Sequence, residues 1–328
     1  IRDTLFDADA GLYSAFITTE LDPAPARQYD LLGNALAVLH GVGDAGRLET
    51  VVASYPQLPK GPSVIWPQQK EIPIYHNRGI WPFVTAYWLR AAREVRNDTA
   101  VTHNMKSLIR GAALNLSNME NFEAVTGLPW VDDGAYSGPV VNSQRQLWSV
   151  AAYVSMVHDV VFGVSASQTG LRFEPYITKS IRNDLFAGAD TLVLNHFPYR
   201  GHDLTVEVLL PPTGADTDGA YSVGEVLLDG QPATGEIPEG DFAAESHVTI
   251  TLEDTPEAAA AMTLVADTSD YRNLFGPLVP WITAVAPSGG NLEVSFSGGG
   301  EPSSEIAFNI YRAGQLVASD LPGSTGTG

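Results

Sequence analysis

The feature that most constrains this chain is a change of period near residue 170. Before it, apolar residues recur at helical spacing, as Leu31, Leu32, Leu36, Val38 and Leu39 do in RQYDLLGNALAVLHGVG. Asp44 is placed to cap a second helix over AGRLETVVASY, and Asn97-Asp98-Thr99 to cap one over about 99–116. A helix is also expected over about 79–96, and a last one in QRQLWSVAAYVSMVHDVVFGV. After it, LRFEP, DTLVLNHF, LTVEVLLP, YSVGEVLLDG, HVTITL and AMTLVAD alternate with period two between Gly, Pro and Asp, as short strands do. The order predicts α then β: an array of helical hairpins over 1–169, a β-sandwich over 170–275, and a further stranded segment over 276–328.

A chain of 328 residues is long enough for two or three such domains. Acidic residues outnumber basic ones 38 to 18, for a formal charge of −20, and a surface of that sign repels phosphate backbones. Nucleic acid is therefore not an expected partner. Without a single cysteine the chain can form no disulfide scaffold, no thiolate metal site and no cysteine nucleophile. The histidines are scattered without ligand spacing, so no metal site and no cofactor are expected. No apolar run is long enough to span a membrane. The start at Ile1 suggests a processed product, and the expected setting is secreted, periplasmic or cell-surface, and bacterial.

Three stretches concentrate chemistry. In EIPIYHNRGIWPF, the residues Tyr75, His76, Asn77, Arg78 and Trp81 crowd the lip of a helix. Sugars offer hydroxyls to Arg and Asn, and C–H faces to Trp and Tyr, so a sugar pocket is the expected use. Trp66 and Gln68 in the preceding connector extend the same set. Ordinary packing at a helix start would use the same residue types. In LNLSNMENFEAVTG, Glu120 and Glu123 lie among amides and an aromatic ring, which makes a candidate general base or, equally, a solvated turn capped by Ser117 or Asn118. In GPVVNSQRQLW, Gln144 and Arg145 open a helix, either as caps or, for Arg145, to hold a carboxylate in its charged form.

Taken in order, these segments resemble the C-terminal half of the six-hairpin glycosidases, the (α/α)6-barrel families that include bacterial α-L-rhamnosidases, neutral invertases and cellobiose or maltose phosphorylases. YHNRGIWPF resembles the Tyr-His-Asn-Gly…Trp-Pro segment of neutral invertases, and FGV…GLRFEPYI resembles the exit from the barrel into a trailing β-domain. The order is closest to the rhamnosidase group: MENF falls at its Trp-Glu-x-Trp, and NSQRQLWSVAAYV where its Phe-Asn-His-Tyr helix begins. Met119 stands for the tryptophan, and Arg145-Gln146 for His-Tyr. Residues 276–328 resemble the start of a fibronectin type III module, incomplete at GSTGTG.

The resemblance implies a partial (α/α)6 toroid and an inverting glycoside hydrolase acting on oligo- or polysaccharide. Glu120 would be the base, with Tyr75, Asn77, Arg78, Trp81, Trp66 and Trp130 on the sugar, and Gln144 and Arg145 orienting a carboxylate or hydroxyl. An inverting enzyme needs a second carboxyl as acid. Five helices do not close a toroid, so the acid is expected upstream of Ile1, on a companion N-terminal segment that completes the barrel. The alternative is a catalytically silent carbohydrate-binding or cell-surface assembly protein.

Overall fold

A computed structural model describes residues 2–18, 24–138, 142–269 and 274–323. Residues 139–141 of the third motif, and 324–328 of the GSTGTG end, lie outside the described residues. The chain opens with β1 (Phe6–Asp7) and β2 (Leu12–Tyr13), and β3 (Tyr29–Asp30) leads directly into α1 (Leu31–Leu39). Then come α2 (Ala45–Ser54), β4 (Ile65–Trp66), β5 (Gly79–Ile80), α3 (Pro82–Glu94), α4 (Asp98–Asn115) and β6 (Phe122–Glu123). After a 3-10 turn at Gly134–Tyr136, α5 (Leu147–Ser155) runs into a π-helical turn, Met156–Val161.

The helix starts follow the capping chemistry of the sequence. Asp30, Asp44 and Asn97 accept from the backbone N–H of Gly33, Arg47 and Ala100, satisfying donors that each first turn leaves unpaired. α3 has no such side-chain cap and starts on Pro82, whose fixed φ suits a first helical position. Its buried face carries Trp88, Leu89, Ala91 and Ala92, and the two alanines let neighbouring helices approach closely.

The toroid expected from the sequence is not formed. In a ring of hairpins each helix meets its neighbours in turn, whereas α3 is a hub that packs against α1, α4 and α5. Between α4 and α5 the chain carries a two-residue strand and a 3-10 turn where a ring would need helix. The described residues form a mixed α and β molecule with six α-helices and several small sheets.

The second half comprises β7 (Val164–Ala166), β8 (Gly170–Phe173), α6 (Lys179–Asp184), β9 (Thr191–Tyr199), β10 (His202–Leu209), β11 (Ser222–Leu228), β12 (Gln231–Pro232), β13 (Glu236–Pro238) and β14 (Glu245–Glu253). The alternating segments are strands as read, except AMTLVAD. Their pairing departs from a series of hairpins. The five-stranded sheet runs β12-β11-β14-β10-β9, with β14 parallel to β10, and β13 leaves to join β8 and β7 in a three-stranded sheet. Local alternation does not encode such non-local pairing.

AMTLVAD instead runs back over the helices, where Thr263 N donates to Ala53 O and Val265 N to Gln57 O. Asp98, at the first turn of α4, accepts from Gly219 N at 2.9 Å and Ala260 N at 2.7 Å. One buried apolar cluster runs from Leu31 and Trp88 through Phe173 to Val206 and Ile250, so helices and strands share a core. The last segment forms two hairpins, β15 (Trp281–Ser288) with β16 (Asn291–Ser297), and β17 (Ala307–Arg312) with β18 (Gln315–Pro322). Phe296 and Phe308 meet across them at 4.4 Å, and Glu301 ties them to Lys70 at 2.6 Å.

Gly111 sits inside α4, where a Cβ would lie 2.5 Å from the Phe122 ring on β6. On an exposed helix Gly→Ala stabilises by about 1 kcal/mol. Gly111→Ala should instead lower stability, by about 1–3 kcal/mol of overpacking. A urea melt reads the sign; a gain in stability would contradict this packing.

Candidate functional site

The three motifs meet in space because a pair of two-residue strands joins them. β5 and β6 are antiparallel, with Gly79 opposite Glu123 and Ile80 opposite Phe122. Arg78 O accepts from Ala124 N at 2.8 Å, and Val64 N, in the bend just before β4, donates to Gly79 O at 3.0 Å. Behind this ladder the Arg78 guanidinium lies 3.1 Å from Glu123 Oε1 and 3.3 Å from Asp133 Oδ2, with Arg78 and Glu123 almost fully buried. Glu123 also accepts from Val125 N, Thr126 N and Thr126 Oγ1. A charge taken out of water needs this full set of partners.

Glu120 is treated differently. It is 6% exposed; Oε1 accepts from the Tyr75 hydroxyl at 3.1 Å and Oε2 from Ser143 N at 3.0 Å. Ser143 O takes the Glu120 N–H in return at 2.8 Å, and Gln146 N donates to Asn118 O at 3.0 Å, which docks the third motif on the second. Asn142 completes the join, accepting from Asn121 N and donating to Asn121 O and Pro129 O. No helix follows Ser117 or Asn118, so neither is the helix cap allowed for in the sequence. Among the described residues no cation pairs with Glu120, and Arg145, the expected partner of a carboxylate, is exposed and lies elsewhere.

Tyr75 reaches Glu120 from a strained backbone, with φ at +36°. Strain of this kind costs about 1–3 kcal/mol and survives where the surroundings over-determine it. Two contacts do so. Trp81 Nε1 donates to Tyr75 O at 3.2 Å, and Gly79 passes so close that a Cβ would fall 2.2 Å from that same oxygen. Burial, and then the bond to Glu120, raises the Tyr75 phenol, which keeps its proton available to the carboxylate.

Beside Glu120 stands an aromatic wall. Tyr75, His76 and Trp81 are in mutual ring contact at 4.4–4.9 Å, and Trp148 closes on Trp81 at 5.7 Å and stacks on Phe83 at 4.7 Å. Trp81, the expected sugar platform, is buried as the floor of this wall, and the rings that reach solvent are His76 and Trp148, the latter 41% exposed. Trp148 and Phe83 escaped the sequence analysis because each reads as an apolar helix residue; their place in the first turn of α5 and of α3 was the available signal.

The remaining expected residues divide in two. Asn77 and Gln68 are interior staples: Asn77 accepts from Gln69 N and donates to Gln69 O and Ile72 O, and Gln68 donates to Ser63 Oγ and Ile65 O. With Arg78 they hold the loop from within, and Asn77 and Arg78 also line a cleft of about 500 Å³ with Lys70, Asp133 and Tyr136. Trp66 is half-buried beside Tyr29. Trp130, Gln144 and Arg145 instead line a separate polar cleft of about 470 Å³ with Asn115, Ser117 and Asn142. No cluster of potential metal ligands occurs among the described residues.

No protein-family model matches the chain, and no curated protein matches it in sequence.

The two glutamates should separate in a stability assay. Glu123→Gln removes the nearer counter-charge of the buried Arg78, leaving it the more exposed Asp133, and should cost about 3–5 kcal/mol. Glu120→Gln leaves no stranded cation and should cost only about 1–2 kcal/mol. Equal losses in urea melts would mean that Glu120 is as structural as Glu123.

Proposed function

We propose that the chain is a glycoside hydrolase in which Glu120 is the base that activates water. The observation that carries this is the pairing of a carboxyl group, fixed by Tyr75 Oη and Ser143 N and free of any described cation, with a half-open wall of aromatic rings. A carboxylate neutralised by arginine is a weak base; one held by two hydrogen-bond donors is oriented and keeps lone pairs for a water proton. Rings such as Trp148 and His76 match the C–H faces of a saccharide. In the inverting course expected from the sequence, water attacks the anomeric carbon from the Glu120 side while the glycosidic oxygen leaves on the other. No cofactor is needed for that displacement.

The polar cleft with Trp130 favours a second reading, saccharide binding without turnover. One variant separates the two. On a panel of oligosaccharides and aryl glycosides, Glu120→Gln should lower turnover by about 10²–10⁴-fold, the range for loss of a general base. Saccharide affinity in calorimetry should stay within about threefold, since the amide keeps the shape of the site. A protein that binds sugars, turns none over and loses binding with Trp130→Ala would support the second reading.

A further inference from the structure

The polar cleft lined by Trp130 and Arg145 has walls pinned by hydrogen bonds. Asn142 donates to Asn121 O at 2.8 Å and to Pro129 O at 3.0 Å, Ser117 Oγ donates to Gln144 O, and Ser149 Oγ donates to Met119 O at 2.8 Å. Trp130 lies between two ties: Asn142 holds Pro129 on one side, and Val131 exchanges both backbone bonds with Gly138 on the other. Its side chain is nonetheless 52% exposed. A large ring left in water on a fastened loop is a ready stacking platform, since little freedom is lost when a ligand covers it.

The ionised charge in this cleft is of one sign. Arg145 is the one residue lining it that ionises, and no carboxylate does. Arg145 forms no ion pair among the described residues, in a chain with 38 acidic residues to 18 basic ones. The C-terminal end of α4 borders the cleft at Asn115 and Leu116, where helix carbonyls bring partial negative charge. Asn115 Nδ2 takes up part of it by donating to Gly111 O at 2.8 Å. The formal charge of −20 also opposes capture of an anion at long range, so selection of one here has to come from contact.

We propose that this cleft is a binding site for a uronate, a saccharide residue that bears a carboxylate. The planar fork of Arg145 matches a carboxylate with two parallel N–H···O bonds, a pairing that a neutral ester cannot reproduce at full strength. Trp130 offers its ring face to the C–H side of the sugar. The Gln144 amide, without a side-chain hydrogen bond among the described residues, and the lone pairs of Ser117 Oγ match the hydroxyls. A cleft of about 470 Å³ falls within the range of ligand pockets. The proposal rests on the saccharide-binding reading of this cleft, adds the class of sugar, and holds whether or not Glu120 turns a substrate over.

Calorimetry on the full chain tests it, with oligomers of galacturonate, mannuronate and glucuronate and the methyl ester of each, which keeps the sugar and removes the charge. At least one acid should bind about tenfold or more tighter than its ester, the scale of a hydrogen-bonded charge. Arg145→Ala should abolish that preference and leave the ester's affinity within about threefold, since only the charged pairing is lost. The residue is exposed and bonds nothing described, so folding is not at stake. Trp130→Ala should weaken acid and ester alike, and Trp148→Ala, on the wall beside Glu120, should change neither. Acid and ester bound equally, or a preference that survives Arg145→Ala, overturns the uronate assignment and leaves the saccharide reading of the cleft intact. Equal displacement of the acid by acetate overturns it as well, since the site would then take any carboxylate. Binding of no acid among the three also overturns it; neutral oligosaccharides lost with Trp130→Ala would then keep the saccharide reading, and no saccharide bound at all would remove both.

Discussion

The arrangement depends on the short antiparallel contact between Gly79–Ile80 and Phe122–Glu123, backed by the buried Arg78–Glu123 pair. Two strands of two residues would not hold together in water by themselves. Their register is fixed from behind, because a slip of one residue would move Glu123 off Arg78 and leave two buried charges apart. Buried ion pairs contribute little net stability, but their misplacement is costly, which makes them effective at specifying one geometry. That geometry sets Tyr75 against Glu120, and the mutual bonds of Glu120 and Ser143 then bring in α5 and Trp148.

This division of labour gives the two glutamates of MENFE opposite fates. Glu123 is saturated, by Arg78 and by the Val125 and Thr126 donors, and its charge is spent on the loop. Glu120, three residues earlier, is restrained by neutral donors only. A carboxyl group oriented by neutral donors keeps lone pairs free, which is what the proposed proton transfer requires. The strain in Tyr75 belongs to the same design, for it is the rigid cage of Trp81 and Gly79 that holds a left-handed tyrosine at the carboxylate.

Much of the local structure was legible. Helical period and capping residues placed α1 to α5, and alternation placed β8 to β11 and β14, while the two- and three-residue strands β1 to β7, β12 and β13 went unread. The toroid was not legible, because a resemblance in motif order says nothing about whether the helices close a ring; the packing of α3 against α1, α4 and α5 decides that. The parallel pairing of β10 with β14 was out of reach for the same reason, being non-local. At the site, the three stretches converge as their composition suggested, but the roles within them could not be sorted. Asn77, Arg78 and Gln68 carry the polar groups of a sugar site and of an interior staple alike, and only burial separates the two uses.

The most direct test of the central claim is a crystal structure of the Glu120→Gln protein with an oligosaccharide bound. The account predicts a sugar ring against His76 and Trp148, with its anomeric carbon one water away from the carboxamide of residue 120. Saccharide found only in the Trp130 cleft, with the wall beside residue 120 empty, would contradict it.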